Sequence, residues 1–98
     1  MDASLRCQVS PGMFSGEVAV RGIAADGAEF SLFVSDDFVE SDAPVCVSEP
    51  VDGWLLVEVL DREGDLVLVR LPGQAFENGQ TVTVRDSLVE RRPWRQAV

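Results

Sequence analysis

"WLLVEVLDREGDLVLVRL" (54–71) is the stretch that decides how this chain folds. Its two runs, 54–60 and 65–71, alternate with a period of two and are built from Val and Leu, the signature of paired strands. Between them "DREGD" breaks the pattern. A three-residue loop, Arg62-Glu63-Gly64, fits a type I turn closed by a left-handed glycine. That loop predicts a register: Asp61 opposite Asp65, Leu60 opposite Leu66, Val59 opposite Val67 and Val57 opposite Val69. One face of the hairpin then carries Leu55, Val57, Val59, Val67, Val69 and Leu71, with no polar residue, and is the core face. The other carries Trp54, Leu56, Glu58, Leu60, Leu66, Leu68 and Arg70, with Glu58 and Arg70 as a diagonal cross-strand pair. A solvated outer face should be more polar than this. The second face is therefore expected to meet the rest of the chain or another subunit, since exposed apolar area beyond a few hundred Å2 marks interfaces.

The same pattern extends in both directions. "SLRCQV" (4–9), "EVAVRGIA" (17–24), "EFSLFVS" (29–35), "APVCVS" (43–48) and "QTVTVRD" (80–86) are short β-rich runs separated by Gly and Pro turn signals. Asp26-Gly27 and Asn78-Gly79 both read as two-residue type I′ hairpin loops. With the first of these, Ile23 faces Phe30, Ala19 faces Val34, and Val20 shares a face with Phe33. No run supports a helix of ten or more residues; 36–41 and 85–92 allow a single turn each. No internal repeat and no low-complexity run is evident. The expected fold is all-β: a small antiparallel barrel or sandwich of six to seven short strands joined by tight hairpins, with no substantial helix. Residues 1–90 form one domain and 91–98 a basic, aromatic C-terminal tail. In strand count and turn density the layout is similar to small SH3-like or OB-like barrels, although no motif specific to either occurs.

Composition narrows the chemistry. Ninety-eight residues with 46% hydrophobic and 26% charged residues are ordinary for one soluble domain. No segment approaches the ~20 apolar residues of a membrane span. "MDASLRCQVSPGMF" has no signal-peptide character, so a cytoplasmic location is expected. The two cysteines, Cys7 and Cys46, sit among apolar residues and read as buried free thiols. His, Lys and Tyr are absent, and all eight basic residues are Arg. No histidine base or ligand and no Schiff-base lysine is available. With tight turns and no loop long enough to build a cleft, catalysis is not expected, and no cofactor is implied.

The net charge of −9 is unevenly placed. Residues 26–65 hold twelve acids and one base, a balance of −11, while the rest of the chain is slightly basic. An acidic central face repels phosphate backbones and argues against nucleic acid as a partner. A nucleic-acid-binding barrel would have to use Arg6, Arg21, Arg85, Arg91, Arg92 and Arg95. "SDDFVESD" (35–42) offers Asp36, Asp37, Glu40 and Asp42 as a cation-binding alternative, but its spacing matches no EF-hand and a solvated loop is the plainer reading. "SPGMFSGE" (10–17) places Met13 and Phe14 between glycines, as a mobile binding loop or, more often, a plug at a barrel end. The tail "RRPWRQAV" (91–98) carries Arg91, Arg92, Trp94 and Arg95 around Pro93, which cannot donate to a central ladder. The expected role is a non-catalytic protein-interaction or assembly module, its partner a protein or a second copy, with no membrane. Its contact residues are expected to be Trp54, Leu56, Glu58, Leu68, Arg70 and the tail's Arg91, Arg92, Trp94 and Arg95.

Overall fold

The structure, a computed structural model, describes residues 2–45, 49–75 and 79–91. In chain order the strands are β1 (Asp2–Pro11), β2 (Glu17–Ile23), β3 (Glu29–Ser35), β4 (Val39–Ser41), β5 (Val51–Glu63), β6 (Leu66–Ala75), β7 (Gly79–Arg85) and β8 (Val89–Glu90). Single 3-10 turns, Asp36–Phe38 and Asp86–Leu88, precede β4 and β8. All pairings are antiparallel, and the path runs β3-β2-β1-β5-β6-β7. The expected all-β class is what the structure has: six main strands and two short ones, curled into a half-barrel.

Two long strands organise it. β1 and β5 run side by side with Leu5 opposite Leu55. On its other edge β1 takes β8 at Ser4 and Leu5 and β2 from Gln8 to Pro11. On its other edge β5 takes β4 at Gly53–Leu55 and β6 from Glu58 onward. Each long strand therefore forks between two partners. The curl brings the outer hairpins together: the Ala25 amide donates to the Thr83 carbonyl at 2.9 Å, and Gly73 of β6 lies against the Phe33 carbonyl of β3.

The period-two pattern explains the core. Ala3, Leu5, Cys7 and Val9 of β1 point inward, as do Val18 and Val20 of β2 and Phe30, Leu32 and Val34 of β3. Leu55, Val57, Val67, Val69, Leu71, Val82 and Val84 complete the same cluster. Each such Val, Leu or Phe contributes about 1.5–3 kcal/mol by leaving water. Gly22 is also inward, because Phe30 opposite it fills the space a side chain would take: an added Cβ would sit 2.4 Å from the Phe30 ring.

The chain folds as two copies of one unit, a repeat that the amino-acid sequence read alone did not reveal. Residues fifty positions apart occupy equivalent places, or forty-nine apart between β2 and β6. Val39 lies opposite Leu55 and Val89 opposite Leu5; Glu40 lies opposite Trp54 and Glu90 opposite Ser4. Val9 faces Val20 in the first half, and Val59 faces Val69 in the second. The Asp36 amide donates to the Gly16 carbonyl at 2.9 Å, and the Asp86 amide to the Asp65 carbonyl at 2.7 Å. Each unit is three strands, a 3-10 turn and a short strand that pairs with the first strand of the other unit. "DDFVE" (36–40) with "DSLVE" (86–90), and "VAVR" (18–21) with "VLVR" (67–70), are sequence traces of it.

Both hairpin registers differ from expectation. In the β5–β6 hairpin Glu63 faces Leu66, so the turn is the two residues Gly64-Asp65. Gly64 has φ +62° and, among the described residues, no non-glycine has positive φ, which is the arrangement of a type II′ turn rather than the three-residue loop. Leu60 is then the extra residue of a bulge between Val59 and Asp61, and beyond the bulge Val59 faces Val69 and Glu58 faces Arg70, two residues along β6 from the expected pairing, so the same face stays inward. This is why the expected core face survives a wrong turn assignment. In the β2–β3 hairpin the loop is Ala25-Asp26-Gly27, closed by Ala24 N–H to Ala28 carbonyl at 2.8 Å. The Asp26 carboxylate accepts the Ala28 amide at 2.9 Å, a local turn that leaves only Gly27 at positive φ. The ladder moves by one: Gly22 faces Phe30, Ala19 faces Phe33 and Val18 faces Val34. Val20 is buried while Phe33 faces outward, so the two do not share a face. Asn78 of the other expected turn lies outside the described residues; Gly79 does adopt positive φ, +68°.

Candidate functional site

Three features lie outside the core. The first is the outer face of the β1–β5 ribbon. Trp54 stands opposite Arg6, whose guanidinium carbon lies 4.9 Å from the indole centroid. Arg6 also donates to Asp42 at 2.8 Å and lies 3.6 Å from Asp52. Stacked and paired on two sides, it is a fixed cation. Leu56 and Glu58 follow Trp54 on the same face, and Arg70 meets Glu58 directly across the strands at 2.9 Å. Leu68 is half-buried beside Arg70 on β6, opposite Asp61 and Thr83, and Leu60 and Leu66 add exposed apolar surface nearby. The structure thus brings Leu56, Glu58 and Arg70 together, with Trp54 turned toward Arg6. Arg91 is exposed; Arg92, Trp94 and Arg95 lie outside the described residues, as does Cys46.

The second feature is the pair of forks. Between β2 and β8 a groove of about 270 Å3 is lined by Arg6, Cys7, Arg21, Ile23, Asp52 and Leu88. Between β6 and the Asp36–Phe38 turn a groove of about 250 Å3 is lined by Leu56, Val57, Arg70, Pro72, Asp2 and Phe38. These are the same positions in the two units, except for Glu29 in the first and Gln80 in the second. An arginine (Arg21, Arg70), an acid (Asp52, Asp2) and a large apolar side chain from the 3-10 turn (Leu88, Phe38) recur in both. In both grooves the arginines are already met by carboxylates: Arg6 by Asp42 at 2.8 Å and Arg21 by Glu29 at 3.9 Å in the first, which Asp52 and Glu29 also line, and Arg70 by Glu58 at 2.9 Å in the second. Cys7 forms part of the floor of the first. Burial pushes its thiol up to about 12, against the pull of the neighbouring Arg6 charge. A protonated, buried thiol is inert, the reverse of a nucleophile.

The third feature is the β1–β2 loop. Met13 and Phe14 are 74% and 71% exposed. They do not plug a barrel end. The loop beneath them is fixed: Gly12 N–H donates to the Glu17 carbonyl and Glu17 N–H to the Phe14 carbonyl, both at 3.1 Å, and Met13 N–H donates to the Glu17 carboxylate at 3.0 Å. The matching place in the second unit is only the Gly64-Asp65 turn. The signal for this feature was in the sequence, two large apolar residues between turn-forming glycines. What was missing was the second unit to compare it with.

The remaining candidates are dispersed. Asp36 and Asp37 are exposed on the 3-10 turn, Ser35 caps that turn by accepting the Asp37 amide, Glu40 faces Trp54 and Asp42 holds Arg6. Among the described residues no three such groups gather within reach of one metal ion. The arginines do not form a bare basic face either. Arg6, Arg21, Arg62, Arg70 and Arg85 each stand beside a carboxylate, of Asp42, Glu29, Asp86, Glu58 and Asp65 respectively. No helix among the described residues is long and apolar enough to cross a membrane. Compared with protein-family models, with curated proteins and with solved structures, the chain matches none.

Proposed function

We propose that this chain is a non-catalytic protein-interaction or assembly module that docks through apolar side chains its core does not use. The observation that carries the reading is the Met13–Phe14 tip: two adjacent large apolar residues, about three-quarters exposed, on a loop whose backbone is hydrogen-bonded in place. Holding such residues in water has a cost of about 1.5–3 kcal/mol each relative to burial, and a partner surface recovers it. The outward Trp54, Leu56 and Leu68, with the Glu58–Arg70 pair, supply a second contact area of the mixed kind found at interfaces. The neutralised arginines favour a protein partner over a polyanion. The inert Cys7 and the lack of His, Lys and Tyr favour binding over catalysis.

The test is retention. The chain is immobilised and presented with its own free form and with cell extract, in parallel with a variant carrying Leu56→Glu and Leu68→Glu and a variant carrying Phe14→Ser. The module reading requires a protein that the parent chain retains and at least one variant does not. Equal retention by all three, or none by any, removes it.

A further inference from the structure

We infer that the segment 92–98 folds back across the outer face of the β1–β5 ribbon of its own molecule, with the Trp94 indole over Leu56 and Ser4 and its arginines on the carboxylates around them. The contact is independent of the interaction reading above. The segment lies outside the described residues; the surface it leaves from points to the contact. β8 lies on the edge of β1 with Glu90 opposite Ser4, so the chain departs beside Ala3 and Asp2. Pro93 has no N–H to give to that ladder, and the chain has to leave the edge there. The inner side of the sheet is closed, since Ala3, Leu5 and Val57 are buried in the core. The outer side is open. Reach then selects the target. Two strand spacings, about 10 Å in all, separate β8 from β5, and the three residues from Arg91 to Trp94 span at most about 11 Å. Trp94 therefore reaches Leu56, which stands opposite Ser4, and goes no further than β5.

Three observations choose the outer face over solvent. The first is Ser4. The alternation that buries Ala3 and Leu5 turns Ser4 outward, in one row with Leu56 and Glu90, yet Ser4 is 1% exposed and its buried hydroxyl has no hydrogen-bond partner among the described residues. Leu56 has no polar group to offer it, and a stretch of backbone laid over it has both kinds. The second is charge. Six carboxylates on this face, of Asp2, Glu40, Asp42, Asp52, Glu58 and Glu90, surround two arginines. Both arginines are already held, Arg6 by Asp42 at 2.8 Å and Arg70 by Glu58 at 2.9 Å. Residues 91–98 carry Arg91, Arg92 and Arg95 and no acid, so the segment starts beside a surface of opposite sign. Exposed ion pairs are individually weak; the indole on Leu56 is the anchor and the arginines set its direction. The third is the matching place in the first unit. After β4 the Asp42 amide donates to the Asp52 carbonyl at 2.9 Å, and the Asp42 carboxylate turns over the outer face onto Arg6. Fifty positions on, Arg92 follows β8, with Asp2 in place of Asp52 and Leu56 in place of Arg6.

Trp54 and Leu56 then share their face with the chain's own end, and a partner that uses Leu56 has to displace it, whereas the Met13–Phe14 tip stays out of its reach. The experiment is NMR spectroscopy of the full isotope-labelled chain, beside Trp94→Ala and the double variant Arg92→Glu with Arg95→Glu. These substitutions touch no residue of the core. The parent chain should show nuclear Overhauser contacts between the Trp94 indole and the Leu56 methyls, unchanged on dilution. Both variants should shift the amide signals of Asp2–Arg6 and Leu56–Glu58 and leave those of Gly16 and Gly27 in place. A parent chain without the Trp94–Leu56 contact, whose Asp2–Arg6 amides ignore Trp94→Ala, overturns the inference. A contact found only between labelled and unlabelled molecules in a mixed sample overturns it too, because the occupant is then a second copy.

Discussion

Glu40 and Glu90 occupy one place in two halves of the molecule, Glu40 opposite Trp54 and Glu90 opposite Ser4. Trp54 and Ser4 are themselves equivalent positions, on the outer face of β5 and β1. At most positions the inner face has the same character in both halves: Leu5 with Leu55, Val20 with Val69, Val34 with Val84. The outer face has not. Close packing explains the contrast, since an inward change of volume is felt by the whole core while an outward one is not. Whatever distinguishes the halves in function is therefore carried by outward positions: the tip, Trp54, and the second arginine of one fork.

Equivalence in the core has an energetic consequence. Leu5 and Leu55 are both fully buried and face each other across the ribbon. Leu5→Ala and Leu55→Ala should each cost about 2–5 kcal/mol, transfer and cavity together. Because the two sites share one environment, the costs should agree within about 1 kcal/mol and should not add in the double variant. Urea denaturation of the three variants measures this. A difference several times larger would mean that the halves are alike in path but not in packing.

Gly22 is where the first unit departs from the second. Its counterpart is Leu71, itself buried, and the position fifty residues after Phe30 is polar Gln80, whose side chain donates to the Leu71 carbonyl at 3.4 Å. The large side chain has moved from one strand to its neighbour. Gly22→Ala should destabilise by about 1–3 kcal/mol, the ordinary effect of overpacking, since the added carbon meets a fully buried ring. Phe30→Leu in the same chain should return part of that loss. If Gly22→Ala alone proves neutral in denaturation, the ring is free to move and the packing account fails.

The six main strands, the core face and the absence of helix were legible because a period of two needs no knowledge of partners; the short strands Val39–Ser41 and Val89–Glu90 were not, and 43–45, expected as part of a strand, lie outside any. The registers were not. Turn length depended on whether Asp26 would take a positive φ or use its carboxylate on the Ala28 amide, and on whether Leu60 would bulge; both are settled by the sheet as a whole. The repeat is faint in the sequence because only short stretches keep it visible, "DDFVE" (36–40) against "DSLVE" (86–90) and "VAVR" (18–21) against "VLVR" (67–70). Elsewhere Val, Leu and Phe exchange freely, and any β-protein shows such runs. The Glu58–Arg70 pair was found for the right reason, alternation on one face, although it is direct and not diagonal. The fork sites depend on two strands leaving a third at different points, which no local pattern encodes.

The Glu58–Arg70 pair should matter little to stability. Both side chains are about half exposed, at 45% and 51%. Glu58→Gln is expected to shift the unfolding free energy by no more than ~1 kcal/mol, and less in high salt. A larger, salt-independent effect on thermal unfolding would show that the pair is shielded by something bound over it.

Cys7 gives the chain an alkaline limit that can be read free of lysine and tyrosine, with the second thiol, Cys46, separated from it by substitution. Its thiol is held up at about 12 by burial, against an ordinary value of 9.0. Below the ordinary value the thiol is protonated in both folded and unfolded chains and contributes no pH dependence. Between the two values the unfolded thiol ionises while the folded one does not, so the unfolded state gains and stability falls as pH rises. The slope is about 1.4 kcal/mol per pH unit for one group. In most proteins lysine and tyrosine titrate in the same window and obscure such a term. Here neither residue occurs, and arginine stays charged throughout. Denaturant midpoints measured from neutral pH to about pH 11 should therefore decline above the ordinary thiol value. Cys7→Val, which copies the residue at the matching position Val57, should flatten that decline and leave stability at neutral pH within about 1.5 kcal/mol. A decline that persists unchanged in Cys7→Val would assign it to another group and sink the account of Cys7 as a thiol kept neutral by its burial.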